Sequence, residues 1–191
     1  MIEIEVKVRV PDLKAFRAKL LEQGAVVIRE RHHETNTLYD FRDGALRGKE
    51  RALRLRTIGR RAYLTFKGTP QKSRRFKVRE EIETEAKNGR SLRLILKALG
   101  LVPAFSYEKR RTVFKKGPLR ICLDETAAGS FVEFEGDRAK IARFAKLLGI
   151  PRTEWIKLDY VQLLKKAGEE GAGLHSSSLS PPTGSSGKSS S

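Results

Sequence analysis

Strand-length stretches in which apolar and ionisable residues alternate recur along this chain, and few folds can use that pattern many times over. Side chains on a strand alternate between faces with period two. Ile2 to Val10 therefore sets Ile2, Ile4, Val6, Val8 and Val10 against Glu3, Glu5, Lys7 and Arg9. Arg54 and Arg56 oppose Leu53 and Leu55, and Tyr63, Thr65 and Lys67 oppose Leu64 and Phe66. Arg79, Glu81 and Glu83 oppose Val78 and Ile82, while Lys109 and Arg111 share a face. Arg120, Cys122 and Asp124 oppose Ile121 and Leu123, and Phe131, Glu133 and Glu135 oppose Val132 and Phe134. One such strand fits the wet side of an ordinary sheet. The set does not, because a solvated face mixes Ser, Thr, Gln and Asn among scattered charges.

Three amphipathic helices follow strands, and each ends at a glycine. Pro11–Gln23 repeats apolar residues at Leu13, Phe16, Leu20 and Leu21 before Gly24. Residues 91–99 do so at Leu92, Ile95, Leu96 and Leu99 before Gly100, and residues 137–148 at Ile141, Phe144, Leu147 and Leu148 before Gly149. This is helical spacing with a glycine C-cap, and Pro11-Asp12, Ser91 and Asp137 mark the starts. A fourth helix is expected over residues 154–166 from Trp155, Leu158, Val161 and Leu164. Gly59-Arg60 and Lys116-Gly117-Pro118 read as hairpin turns. With the strands at 35–41 and 77–85, about eight strands joined by hairpins and short helical detours favour an α+β, antiparallel eight-stranded barrel. Helices covering the apolar face from outside turn the charges inward.

Composition adds few limits. The 191 residues suit one domain over 1–167, followed by a Ser/Gly/Pro-rich segment, 168–191, expected to be disordered and to carry no site. No apolar run approaches the roughly 18 residues of a membrane span and no secretory signal opens the chain, so a cytoplasmic protein without membrane partners is expected. The lone Cys122 excludes an intrachain disulfide and reads as a buried thiol, although its strand phase turns it to the charged side. His32 and His33 fall on opposite faces of an extended chain and make a poor joint metal site, and Lys72-Ser73-Arg74-Arg75 reads as a solvated basic loop.

The net charge is +17, from 40 Lys and Arg against 23 Asp and Glu. Such an excess favours polyanions. A barrel lined by both signs needs a charged ligand or water, since unpaired buried charge is costly. Arg and Lys clamp phosphate oxygens. Carboxylates repel phosphate unless a cation lies between, and hard oxygen donors suit Mg²⁺ or Mn²⁺. A metal–triphosphate complex reconciles the two charges. A non-enzymatic polyphosphate or nucleic-acid binder is the rival reading, but inward carboxylates would oppose a nucleic-acid backbone.

The chain resembles the CYTH superfamily, the triphosphate tunnel metalloenzymes, which include class IV adenylate cyclases, thiamine triphosphatases and inorganic triphosphatases. The resemblance rests on Glu3-Ile4-Glu5-Val6-Lys7, Leu53-Arg54-Leu55-Arg56, Thr65-Phe66-Lys67-Gly68 and Arg79-Glu80-Glu81-Ile82-Glu83. Lys109-Arg110-Arg111, Leu123-Asp124-Glu125 and Phe131-Val132-Glu133-Phe134-Glu135-Gly136 follow in family order, and the whole spans about residues 2–165. It implies an eight-stranded tunnel with helices outside. It implies Glu3, Glu5, Asp124, Glu133 and Glu135 as ligands of Mg²⁺ or Mn²⁺. It implies Lys7, Arg54, Arg56, Lys67, Arg79, Lys109 and Arg111 as triphosphate binders, with Lys7, Arg54, Arg56 and Lys67 the catalytic set. Glu81, Glu83 and Arg120 would line the tunnel, Glu81 paired with Arg79. Lys157 is a weaker match to a C-terminal basic position, and Arg110, out of phase, should face outward. The implied substrate is a small triphosphate: ATP, cyclised with loss of pyrophosphate, or tripolyphosphate or thiamine triphosphate, hydrolysed.

Overall fold

The computed structural model describes residues 1–176. The strands are β1 (Ile2–Arg9), β2 (Val26–Asp40), β3 (Ala52–Ile58), β4 (Arg61–Lys67), β5 (Lys77–Ala86), β6 (Val102–Lys116), β7 (Leu119–Thr126) and β8 (Gly129–Glu135). The helices are α1 (Leu13–Glu22), α2 (Ala45–Gly48), α3 (Gly89–Ala98), α4 (Arg138–Leu147) and α5 (Tyr160–Ser176). The strands close into a barrel in the order β1-β5-β4-β3-β2-β6-β7-β8, each neighbour antiparallel. The expected eight-stranded barrel is what forms, and closure gives every strand a neighbour on both sides over part of its length.

The apolar face of each strand points outward, as the alternation requires. Val6, Val8, Phe114, Ile121, Val132 and Phe134 are buried there under α1 and α4, with Leu20, Ile141 and Phe144 from those helices. Each such side chain contributes about 1.5–3 kcal/mol by leaving water. A second cluster packs Leu96 of α3 on Leu55, Ala62 and Tyr39. The third sets Tyr160 and Leu163 of α5 on Phe131, beside Tyr107. Phe131 and Tyr107 share strand phase with Glu133 and Lys109, so α5 covers the barrel where the inward face itself becomes aromatic.

Caps explain where the helices begin and end. Asp12, Asn88 and Asp137 accept from backbone N–H groups of the first turns of α1, α3 and α4. Asn88, not Ser91, therefore starts α3, and its Oδ1 accepts from Ser91 N. All three helices close with one double bond pattern: Gly24 N to Leu21 O and Ala25 N to Leu20 O, Gly100 N to Lys97 O and Leu101 N to Leu96 O, Gly149 N to Lys146 O and Ile150 N to Ala145 O. These are Schellman caps, and Gly24, Gly100 and Gly149 have the left-handed φ they need, 71°, 82° and 75°.

Three boundaries differ from the sequence reading. β2 begins at Val26, nine residues before the expected Thr35, because Val26–Glu34 pair with the long β6 across bulges. The expected helix over 154–166 starts only at Tyr160. A 3₁₀ turn at Arg152–Glu154 precedes an extended stretch in which Lys7 and Ile156 exchange backbone hydrogen bonds of 3.2 and 2.8 Å and Trp155 meets Phe76 edge-on at 5.2 Å. These contacts outweigh the helical spacing. α5 then runs to Ser176, into the segment expected as a tail from Gly168; residues 177–191 lie outside the described residues.

Candidate functional site

Strand pairing brings the inward charges together in order. Glu5 faces Glu135 and Lys7 faces Glu133 across β1 and β8, and Glu3 faces Arg79 and Glu5 faces Lys77 across β1 and β5. Lys67 stands opposite Glu81, Thr65 opposite Glu83 and Arg111 opposite Asp124. The cavity inside the barrel has a volume of about 640 Å³. Its wall includes Lys7, Arg54, Arg56, Lys67, Arg79, Lys109 and Arg111 and also Glu3, Glu5, Glu81, Glu83, Arg120, Glu133 and Glu135. Of the residues expected as metal ligands, triphosphate binders or tunnel lining, all but Asp124 line this one space.

Within it, each acid leans on a base. Lys7 Nζ lies 2.7 Å from Glu133, Lys67 Nζ 3.0 Å from Glu3 and 2.5 Å from Glu81, and Arg56 donates to Glu83 at 2.8 Å. Glu81 thus pairs with Lys67 and, at 3.8 Å, Arg54, rather than with Arg79. The cations are not fully used: the buried Nε–H groups of Arg54, Arg56 and Arg79 have no acceptor. Three guanidinium donors without partners on the wall of one cavity fit an anion rich in oxygens.

The acidic side is crowded. Burial pushes Glu3 up, but hydrogen bonds with Glu81 and Glu135 and the charge of Lys67 outweigh it and hold its carboxyl well below the usual range. Burial and the same bonds to Glu3 push Glu81 up to about 7 and Glu135 up to about 7. Glu81 and Glu135 thus hold protons near neutrality against an ionised Glu3, and such hard oxygen donors are of the kind a divalent cation takes in place of protons. Among the described residues no three acidic, His or Cys side chains form a finished ligand cage, because lysines and arginines hold them. The donor chemistry fits Mg²⁺ or Mn²⁺; the ligands must first leave their cationic partners.

Asp124 is engaged differently from the other acids expected as metal ligands. Fully buried, it accepts from Arg111 Nε at 2.6 Å, Lys109 Nζ at 3.1 Å and the Tyr160 hydroxyl at 2.5 Å, which uses its lone pairs from beneath the cavity wall. It fixes two of the cations on that wall. Glu133 is held by Lys7 and Arg111, whose charges pull it well below the usual range against the effect of burial. Lys157 is exposed and donates to Ser73 O at 3.0 Å, so it takes no part, and this contact ties down the expected basic loop. Arg110 faces outward, as its phase requires, and His32 and His33 diverge to Glu34 and Glu108. Burial and nearby Asp124 and Glu133 push the Cys122 thiol up to about 12 against the pull of Arg111 and Arg120, an inert thiol on the inward face.

The sequence reading missed several residues, Lys77, Glu34, Tyr160 and Asp159 among them. Lys77 lines the cavity 3.4 Å from Glu5, and period two extended back from Arg79 would have found it. Glu34, fully buried opposite Lys109, is pulled down to about 2 because Arg111, Lys109 and Arg56 outweigh its burial; starting β2 at Thr35 hid it. Tyr160 lines the cavity from α5, and no strand pattern points to it.

Comparison with known proteins agrees with this geometry. The chain is 28% identical over 174 residues to a protein named "putative adenylate cyclase" from Methanocaldococcus jannaschii, covering 85% of this chain and 98% of that one. The solved structure of a "putative adenylate cyclase" from Vibrio parahaemolyticus superposes with a TM-score of 0.73 at 24% identity, over 86% of this chain and 98% of that one. A "putative adenylyl cyclase" from Hippeastrum, described as having a dominant triphosphatase activity, superposes with a TM-score of 0.62 at 20% identity, over 86% of this chain and 95% of that one. The model of the CYTH domain matches residues 1–150, which carry all eight strands and every inward charge of the barrel, and the chain belongs to that family.

Proposed function

We propose that this chain is a divalent-metal-dependent enzyme that acts on a linear triphosphate and hydrolyses its terminal phosphoanhydride. The observation that carries the reading is the set of partnerless Nε–H donors on Arg54, Arg56 and Arg79, set around a cavity that also holds the Glu3–Glu81–Glu135 cluster. Arg54, Arg56 and Arg79 bind and orient the non-bridging oxygens. Lys7, Lys67, Lys109 and Arg111 add charge where the phosphates meet the acidic side. Glu3, Glu5, Glu133 and Glu135 would hold the divalent ion, which when bound supplies Lewis-acid polarisation and charge neutralisation. Ion pairs already inside the barrel are exchanged for substrate contacts, so the donors are in place before the chemistry begins. A volume of about 640 Å³ suits a small ligand.

Hydrolysis is favoured because, among the described residues, the aromatic rings on the cavity wall are Tyr107 and Tyr160, and both already meet other side chains. Tyr160 lies under Lys7 and Lys109, and Tyr107 lies against Phe105 and Tyr160. Cyclisation of ATP is the second reading, supported by apolar lining at Met1, Ile2, Leu38, Ala52 and Pro118 that could meet an adenine, and by the names of the relatives. Purified protein incubated with tripolyphosphate, thiamine triphosphate and ATP, with and without Mg²⁺ or Mn²⁺, decides between them. Metal-dependent phosphate release supports hydrolysis, cyclic AMP with pyrophosphate supports cyclisation, and turnover of none sinks both. Glu3→Gln is expected to remove turnover at least a hundredfold while the circular dichroism spectrum is unchanged; full activity in that variant would break the metal assignment.

A further inference from the structure

Tyr160 stands beyond the residues that match the family domain, yet it touches more of the cavity's charged groups than its place in the chain suggests. The Lys7 ammonium lies 4.6 Å and the Lys109 ammonium 4.5 Å from its ring centroid. Its hydroxyl donates to Asp124 Oδ2, the same oxygen that Lys109 holds. One side chain from α5 thus meets two cations on separate strands and the anion that fixes one of them. Phe131 braces the ring edge-on at 5.8 Å. The backbone just before it is bonded to β1 at Lys7 itself, through Ile156.

We propose that Tyr160 is a positioning residue, its ring holding the ammonium groups of Lys7 and Lys109 at the spacing with which they grip a phosphate chain. The inference rests on the reading of the cavity as a triphosphate site. An ammonium on a four-carbon stem has many rotamers and little directional preference of its own. In the resting protein Glu133 and Asp124 restrain the two lysines at 2.7 and 3.1 Å. A phosphate chain competes for those same N–H donors. The attraction to an aromatic face uses no particular N–H, so it persists while the donors change partners.

Five variants and two readouts test this. In the parent, the ε-methylene proton signals of two lysines should be shifted upfield by the ring current, assigned through Lys7→Arg and Lys109→Arg. Tyr160→Leu should return both to ordinary positions, and Tyr160→Phe should keep them shifted. With tripolyphosphate, Tyr160→Leu should raise KM about tenfold with kcat changed less than about threefold, and Tyr160→Phe should largely rescue KM. Leu163→Ala loosens the packing of α5 without touching either lysine and should leave KM unchanged. Unshifted lysine signals in the parent, a Phe variant as impaired as the Leu variant, or a matching rise in KM in Leu163→Ala would each overturn the proposal. The spectrum needs no turnover: shifted signals in a protein that cleaves no triphosphate would sink the functional reading and leave the hold of the ring on the lysines standing.

Discussion

At the scale of the residue, strand phase tells which side a group faces but not how deep it sits. Glu3, Glu5, Lys7, Arg54, Arg56 and Lys67 were legible because each lies on a clean alternation, and all six line the cavity. Asp124 shares that phase yet lies beneath the wall, engaged by Arg111, Lys109 and Tyr160. Depth depends on neighbours on β6 and α5, which no local pattern encodes. Lys77 was lost at a strand end, where the alternation begins, and Glu34 because β2 was expected to start one residue after it. The burial of Asp124 makes a sharp prediction. Asp124→Asn keeps the shape but leaves Lys109 and Arg111 with an uncompensated buried charge, so urea unfolding should show a loss of about 3–5 kcal/mol. A loss under about 1 kcal/mol would mean that Glu34 and Glu133 already neutralise those cations.

At the scale of the element, α1, α3 and α4 were legible because periodicity, N-cap and glycine agree on each. α5 was not, because Ile156 pairs with Lys7 and so pulls Trp155 to Asp159 straight, whatever the spacing of their apolar residues. The Schellman caps can be tested apart from packing. A Cβ at Gly100 would meet nothing within 4 Å, while its φ of 82° disfavours any other residue. Gly100→Ala should therefore cost about 1 kcal/mol through backbone conformation alone. Asn88→Ala, at the other end of α3, should cost a similar amount, about 1 kcal/mol. Thermal melts of the two variants and their combination measure both costs. A neutral Gly100→Ala would show that the end of the helix can unwind by a turn without loss.

At the scale of the whole molecule, the barrel gathers enough like charge to make folding depend on pH. Glu81 and Glu135 have folded values near 7, above the ordinary 4.5, so the folded protein binds more protons than the unfolded chain between those limits. Their protonation therefore stabilises the fold fully below about pH 4.5 and is lost as pH rises through about 7. Glu34, pulled down to about 2, works in the other direction: its contribution is present above 4.5 and lost as pH falls through 2. Metal-free protein should melt at lower temperature at pH 8 than at pH 5.5, and the Glu81→Gln/Glu135→Gln double variant should flatten that slope. An equal slope in both would place the titrating groups elsewhere. The antiparallel barrel was legible as a whole from hairpin signals and inward charge, whereas its strand order, with β1 between β5 and β8, was not. That order has a consequence for how the chain is made. β1 leaves the ribosome before either neighbour exists, and it stays without a partner until β5 emerges. Its seam with β8 closes more than a hundred residues later, and the Ile156 stitch later still. A nascent chain thus carries a charged, half-apolar strand with one side open while β2 to β7 are made, and its cavity closes only once β8 and Ile156 have emerged.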